Sequence, residues 1–142
     1  MPYESPFNAL RNQFRKNRIH IVDAVSRDGA SGTLATSAFS FDPTEYPPDT
    51  KFQFQVVLHV SDSSLTGEVV LYNLTDGEPV TDTNISTSAT TPQTILSPFL
   101  PVGNNAGDLK DSSKTYEMRL SVSGGTEPTD LAYLASASLI VL

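Results

Sequence analysis

The sequence has no cysteine, no tryptophan and only two histidines, and no apolar run in it approaches the roughly 20 residues needed to span a bilayer. Each absence removes a class of function. Without cysteine there is no disulfide framework, no thiolate nucleophile, and no Cys-ligated zinc or iron–sulfur centre. Without tryptophan, an aromatic platform for a sugar has to come from tyrosine. The opening residues MPYESPFNAL carry neither a basic n-region nor a long apolar stretch, so a classical signal peptide is not expected. Positive charge is scarce too: 9 Lys and Arg against 16 Asp and Glu leave −7 over 142 residues. Nucleic-acid binding needs clustered cations to neutralise phosphates, so neither nucleic acid nor a membrane is an expected partner.

The few cations are unevenly placed. Arg11, Arg15, Lys16 and Arg18 face a single acid, Glu4, within residues 1–18, a balance of four minus one, or +3, which leaves −10 for residues 19–142. In the same stretch Phe7, Leu10 and Phe14 fall at i, i+3 and i+7, behind a Ser5–Pro6 pair suited to an N-cap and first helical position. Residues 1–18 are therefore expected to form a short basic amphipathic arm, helical or extended, and residues 19–142 an acidic body.

From Arg18 onward the hydrophobic period becomes two. Strands are predicted over residues 19–27, ending at Arg27-Asp28-Gly29, and over residues 33–41, before a loop holding Tyr46-Pro47-Pro48-Asp49. The most regular strand is residues 51–61, with Phe52, Phe54, Val56, Leu58 and Val60 on one face. Residues 67–75 lead through the tight turn Thr75-Asp76-Gly77 into a hairpin with residues 78–82. The Ser/Thr-rich run 83–94 reads as an exposed edge strand or a polar crossing, after which Ile95, Leu96, Phe99 and Leu100 are expected to return to the core. A Gly- and Asn-rich loop, 102–113, precedes a strand with Tyr116, Met118, Leu120 and Val122 on one face, closed by Gly124-Gly125. The last strand, 131–142, is expected to align Leu131, Tyr133, Ala135, Ala137, Leu139 and Val141. About eight strands spaced near ten residues apart, with no βα units, predict an all-β fold, an antiparallel β-sandwich of jelly-roll type.

Catalytic patterns are sparse. His20 and His59 sit on the less apolar faces of predicted strands without i, i+2 or i, i+4 partners, which is a poor metal signal. No G-x-S-x-G elbow and no phosphate-binding glycine pattern occurs, so a Ser-His-Asp triad assembled by the fold is the enzymatic option left open. Asp42, Glu45 and Asp49 gather three carboxylates in one loop and Asp108 and Asp111 two in another, yet a plain solvated turn explains both better than calcium. Asn73-Leu74-Thr75 and Asn84-Ile85-Ser86 match the glycosylation pattern by chance in so Ser/Thr-rich a chain. No catalytic residue, metal or cofactor is expected. Tyr46, with Asn104 and Asn105, forms the candidate ligand loop should the domain bind a glycan or receptor.

The run Val69-Val70-Leu71-Tyr72-Asn73-Leu74-Thr75-Asp76-Gly77, then a Ser/Thr-rich return to Thr91-Pro92 and Ile95-Leu96-Ser97, and later Tyr116-Glu117-Met118-Arg119-Leu120, resembles a class of phage and bacterial surface β-sandwiches. The resemblance spans residues 51–142 through short strand-turn-strand motifs, and residues 1–18 lie outside it. It implies a non-enzymatic virion component: a capsid decoration (cement) subunit or a tail module on the particle surface, commonly oligomeric, with a major capsid or other virion protein as partner. Phe7, Leu10, Arg11, Phe14, Arg15, Lys16 and Arg18 then have two readings. They either fold back to cap an open end of the sandwich or reach a neighbouring subunit, burying the apolar side chains there while the cations meet an acidic surface. The rival function is a carbohydrate- or receptor-binding module of a tail fibre or cell-surface protein.

Overall fold

The computed structural model describes residues 18–22, 25–28, 34–36, 38–125 and 129–142. Its strands are β1 (Arg18–Val22), β2 (Val25–Asp28), β3 (Leu34–Ala35), β4 (Phe39–Phe41), β5 (Phe52–Val60), β6 (Thr66–Asn73), β7 (Glu78–Pro79), β8 (Ile85–Thr87), β9 (Gln93–Leu96), β10 (Val102–Gly103), β11 (Leu109–Lys110), β12 (Lys114–Ser123) and β13 (Leu131–Val141). One sheet runs β1-β13-β5-β9 with β2 also on β13; the other runs β3-β12-β6-β7 with β4 on β12 and β8 on β6. β10 and β11 form a small parallel pair of their own.

Several of these strands are halves of one. β1 and β2 lie end to end along β13, β3 and β4 along β12, and β7 and β8 along β6. Merging them leaves eight positions in chain order, with β10 and β11 set aside, and their antiparallel pairing is nested. The first (β1/β2) pairs with the eighth (β13), the second (β3/β4) with the seventh (β12), the third (β5) with the sixth (β9), and the fourth (β6) with the fifth (β7/β8). Nested pairing is what results when a long hairpin is rolled up, and the β13–β5 and β12–β6 pairings close the roll into two facing sheets. This is a jelly roll, as the sequence predicts.

The core lies between the sheets. Phe52, Phe54, Val56, Leu58 and Val60 alternate inward along β5, and Val69 and Leu71 do so from β6 with Tyr116, Met118 and Leu120 from β12. Burying each such Leu, Phe or Val contributes about 1.5–3 kcal/mol, so the regular alternation of β5 carries much of the stability. The sheets come close at Gly67, where a Cβ would lie 3.0 Å from Val60 Cγ1 and 3.2 Å from Ala132 Cβ.

Two expectations need correction. β13 does not keep one face inward along its whole length. Its register against β5 shifts between Leu134 and Ser136, so Ala135 is an extra, bulged residue. Beyond the bulge Ala137, Leu139 and Val141 are buried as expected, but before it Ala132 and Leu134 are buried and Leu131 and Tyr133 point outward. A one-residue bulge reverses the count of two, and nothing in the local pattern marks it. Likewise Ile95 and Leu100 turn toward the core, whereas Leu96 is 48% and Phe99 54% exposed. Ser97 takes the inward place between them: its N–H donates to the Phe54 carbonyl, and its hydroxyl oxygen accepts the Phe54 N–H at 2.8 Å. In the Ser/Thr-rich run, β8 and β9 are edge strands as read, yet Thr83 is fully buried, its hydroxyl donating to Val80 O at 2.7 Å and accepting the Leu71 N–H at 3.1 Å.

Candidate functional site

Buried charge concentrates at one end of the roll, around β10 and β11. Lys110, only 7% exposed, places Nζ 2.9 Å from Glu78 Oε1 and donates to Asn105 O at 2.5 Å. Glu78 Oε1 also accepts the Gly107 N–H at 3.1 Å, and Asp108 Oδ2 accepts the Asn105 N–H at 3.1 Å. The Tyr116 hydroxyl, buried below, accepts the Lys110 N–H at 3.3 Å. Beside them Asp76 binds Asn73 Nδ2 at 2.8 Å and Lys114 Nζ at 3.3 Å. The β6–β7 turn and the loop between β10 and β11 are thus stitched together by charges from distant parts of the chain.

The electrostatics follow from these bonds. The hydrogen bond from Lys110, with that from the Gly107 N–H, holds the Glu78 carboxyl below the usual carboxylate range, and the same bond holds Lys110 above the usual lysine value. At Asp76 burial pushes upward, but the bonds from Asn73 and Lys114 outweigh it and the carboxyl sits low. Burial pushes the Tyr116 hydroxyl up. Carboxylates with depressed values stabilise the fold above their unfolded pKa, near 4, and lose that contribution as pH falls through the lower folded values. The melting midpoint is therefore expected to be flat from about pH 5 to 8 and to fall below about pH 4. Lys110→Met, which frees Glu78 toward its ordinary value, should shallow that acid slope; an unchanged slope in a thermal-melt pH series would contradict the pairing.

The residues singled out in the sequence are dispersed. Asn104 and Asn105 lie exposed on the β10–β11 loop, with Asn104 Nδ2 donating to Asp111 Oδ2 at 3.1 Å. Tyr46 is half-buried, its ring 5.5 Å from Phe52 and 5.9 Å from Phe41, and burial, then the Glu45 charge, pushes its hydroxyl up. Asp42 caps a 3₁₀ turn, Pro43–Glu45, by accepting the Thr44 N–H and hydroxyl at 2.9 and 2.6 Å. Among the described residues no group of three or more His, Asp or Glu could hold a metal ion. His59 lies flat on Tyr133, ring centroids 4.6 Å apart, and its buried Nδ1 has no hydrogen-bond partner among the described residues. His20 is on β1, across β13 from His59. Phe7, Leu10, Arg11, Phe14, Arg15 and Lys16 lie outside the described residues; Arg18 opens β1, exposed and opposite Ile140. The Lys110–Glu78 pair escaped the sequence reading because its members are far apart in the chain and sit on two different short strands, β11 and β7.

Strand order and core place the domain among antiparallel jelly-roll sandwiches. No family model and no curated protein matches the sequence. Among solved structures its fold is similar to chains from infectious bursal disease virus. One is from the T13 viral particle (TM-score 0.55, 12% identity, 88% of this chain and 30% of that one). Another is from the VP2 subviral particle (TM-score 0.52, 20% identity, 87% and 31%), and a third from the Gx strain (TM-score 0.54, 19% identity, 87% and 31%). At such identities the likeness is one of fold, and the chain spans about a third of the length of the chains it matches.

Proposed function

We propose that this protein is a non-enzymatic structural component of a viral particle and works through protein–protein contacts. The specific reading is a bacteriophage capsid decoration, or cement, subunit. It sits on the outside of the particle, associates with its own copies and with a major capsid or other virion protein, and needs no nucleic acid. The observation that carries this is the jelly roll itself, similar over 87–88% of the chain to proteins of a viral particle. The charged network at the loop end has its groups turned on one another, which suits a rigid scaffold. The glycan-binding rival leans on Tyr46, whose ring is engaged by Phe41 and Phe52.

The test is mass spectrometry of gradient-purified particles of the virus that encodes the chain, followed by rebinding to particles stripped of it. The chain should band with particles in a fixed ratio, and its absence from them overturns the virion role. In rebinding, a variant lacking residues 1–17 should keep the β-fold by circular dichroism and bind at least about 100-fold more weakly, because each buried Phe or Leu is worth about 1.5–3 kcal/mol and each 1.4 kcal/mol is tenfold. Unchanged binding would remove the arm from the contact.

A further inference from the structure

No residue of β5, β9 or β13 is charged, although 18% of the chain is Asp, Glu, Lys or Arg. Register shows what these strands present to the outside. Gln53, Gln55 and Val57 face outward opposite Ile140, Ser138 and Ser136. The stacked pair of His59 and Tyr133 continues the row, and Leu96 and Thr94 extend it onto the edge strand. Most of these side chains are half-exposed, Leu96 is 48% exposed, and Ser138 is buried among its neighbours. The outer face of the other sheet is built differently. There Glu68, Glu117 and Arg119 stand on β6 and β12, with the Arg119 guanidinium 3.5 Å over the Tyr72 ring and 2.9 Å from Glu117.

A free domain surface carries interspersed charge, whereas the centre of a protein interface is depleted of charge and enriched in aromatics. The chemistry of this face also selects its occupant. A chain of net charge −7 repels its own copies wherever acidic surface meets acidic surface. On the uncharged face two copies can meet without opposing like charges and without stripping water from an ion. Gln amides and Ser hydroxyls each both donate and accept hydrogen bonds, so such a face is complementary to itself, as a surface of one charge sign is not. The flat His59–Tyr133 stack supplies an aromatic anchor of the kind interface centres use.

We infer that the uncharged outer face of β13, β5 and β9, with the exposed Arg18 of β1 at its edge, is the surface on which copies of this chain pack against one another. This takes up the assembly reading above and gives it a surface. The test is light scattering behind a sizing column and sedimentation velocity on the full chain over a wide concentration range. Val57→Glu puts a carboxylate in the middle of the face; Val70→Glu, half-exposed on the charged outer face, is the matched control. The wild type and Val70→Glu should form the same concentration-dependent oligomer, and Val57→Glu should weaken it at least about 100-fold with an unchanged dichroism spectrum. If Val57→Glu fails to fold, Gln55→Glu, an outward neighbour that gives up no apolar side chain, replaces it. A wild type that stays monomeric at the highest concentration overturns the inference. So does an oligomer that survives both carboxylates, including one that dissolves only on removal of residues 1–17. A chain found in particles yet monomeric alone removes this surface and leaves the virion role; an oligomer broken by Val57→Glu in a chain absent from particles does the reverse.

Discussion

Leu134→Ala is expected to lower unfolding stability by about 3–5 kcal/mol, while Leu131→Ala, three residues earlier on the same strand, should cost less than about 1 kcal/mol. Both are leucines of β13, and simple alternation puts Leu131, not Leu134, in line with Leu139 and Val141 on the buried face. The bulge at Ala135 inverts that order. Leu134 is fully buried opposite Leu58, whereas Leu131 lies half-exposed at the start of the strand. Truncating Leu134 removes its transfer free energy and leaves a cavity between two sheets that cannot collapse, because β13 is held by β5 on one side and by β1 and β2 on the other. For a domain of this size the loss corresponds to a fall in melting midpoint of about 6–20 °C. Denaturant melts of the two variants decide the matter. Equal losses, or a larger loss for Leu131→Ala, would mean that the register has no bulge at Ala135.

The same bulge shows which parts of the fold a single sequence can reveal. Residues 52–60 and 116–122 alternate without interruption, so their inward faces are read directly, and the turn at Thr75-Asp76-Gly77 has the chemistry of the hairpin it makes, with Gly77 at φ 71°. The strand count survives because the breaks between β1 and β2, β3 and β4, and β7 and β8 lie within edge strands that each follow one central neighbour. What is hidden depends on partners remote in the chain. Ser97 and Thr83 are buried because their hydroxyls replace ladder bonds to Phe54 and Leu71, and Lys110 because Glu78 arrives from a remote strand, β7. The candidate loop was legible only in part: Asn104 and Asn105 are exposed as a ligand loop requires, but Tyr46 serves an aromatic cluster that local composition does not disclose. The uncharged outer face was in plain view as an absence of charge in residues 52–60 and 131–141. It acquires meaning only once those strands are seen side by side.

Gly107→Ala is expected to cost about 2–3 kcal/mol, a large effect for one methyl group at the edge of a surface loop. Two causes add. Gly107 has φ 83°, a left-handed backbone that costs an L-residue about 1–2 kcal/mol, and its new Cβ would overlap Thr81 Oγ1. Thr81 cannot simply withdraw, because its N–H donates to the Gly107 carbonyl at 2.8 Å and ties the two backbones together. Either that bond lengthens or Thr81 leaves its rotamer, and a shift of the loop also pulls the Gly107 N–H from Glu78 and loosens the bond to Lys110. The causes separate in a double-mutant cycle. In a Thr81→Ala background the overlap disappears while the backbone cost remains, so the penalty of Gly107→Ala should fall to about 1–2 kcal/mol. Hydrogen exchange gives a local reading of the same event: the Gly107 and Asn105 amides, bonded to Glu78 and Asp108, should lose protection in the single variant and regain part of it in the double. Protection unchanged by Gly107→Ala would show that the loop does not depend on this close approach, and the stitched end of the roll would then be held by the Lys110–Glu78 pair and the bonds of Asp108 and Asp76.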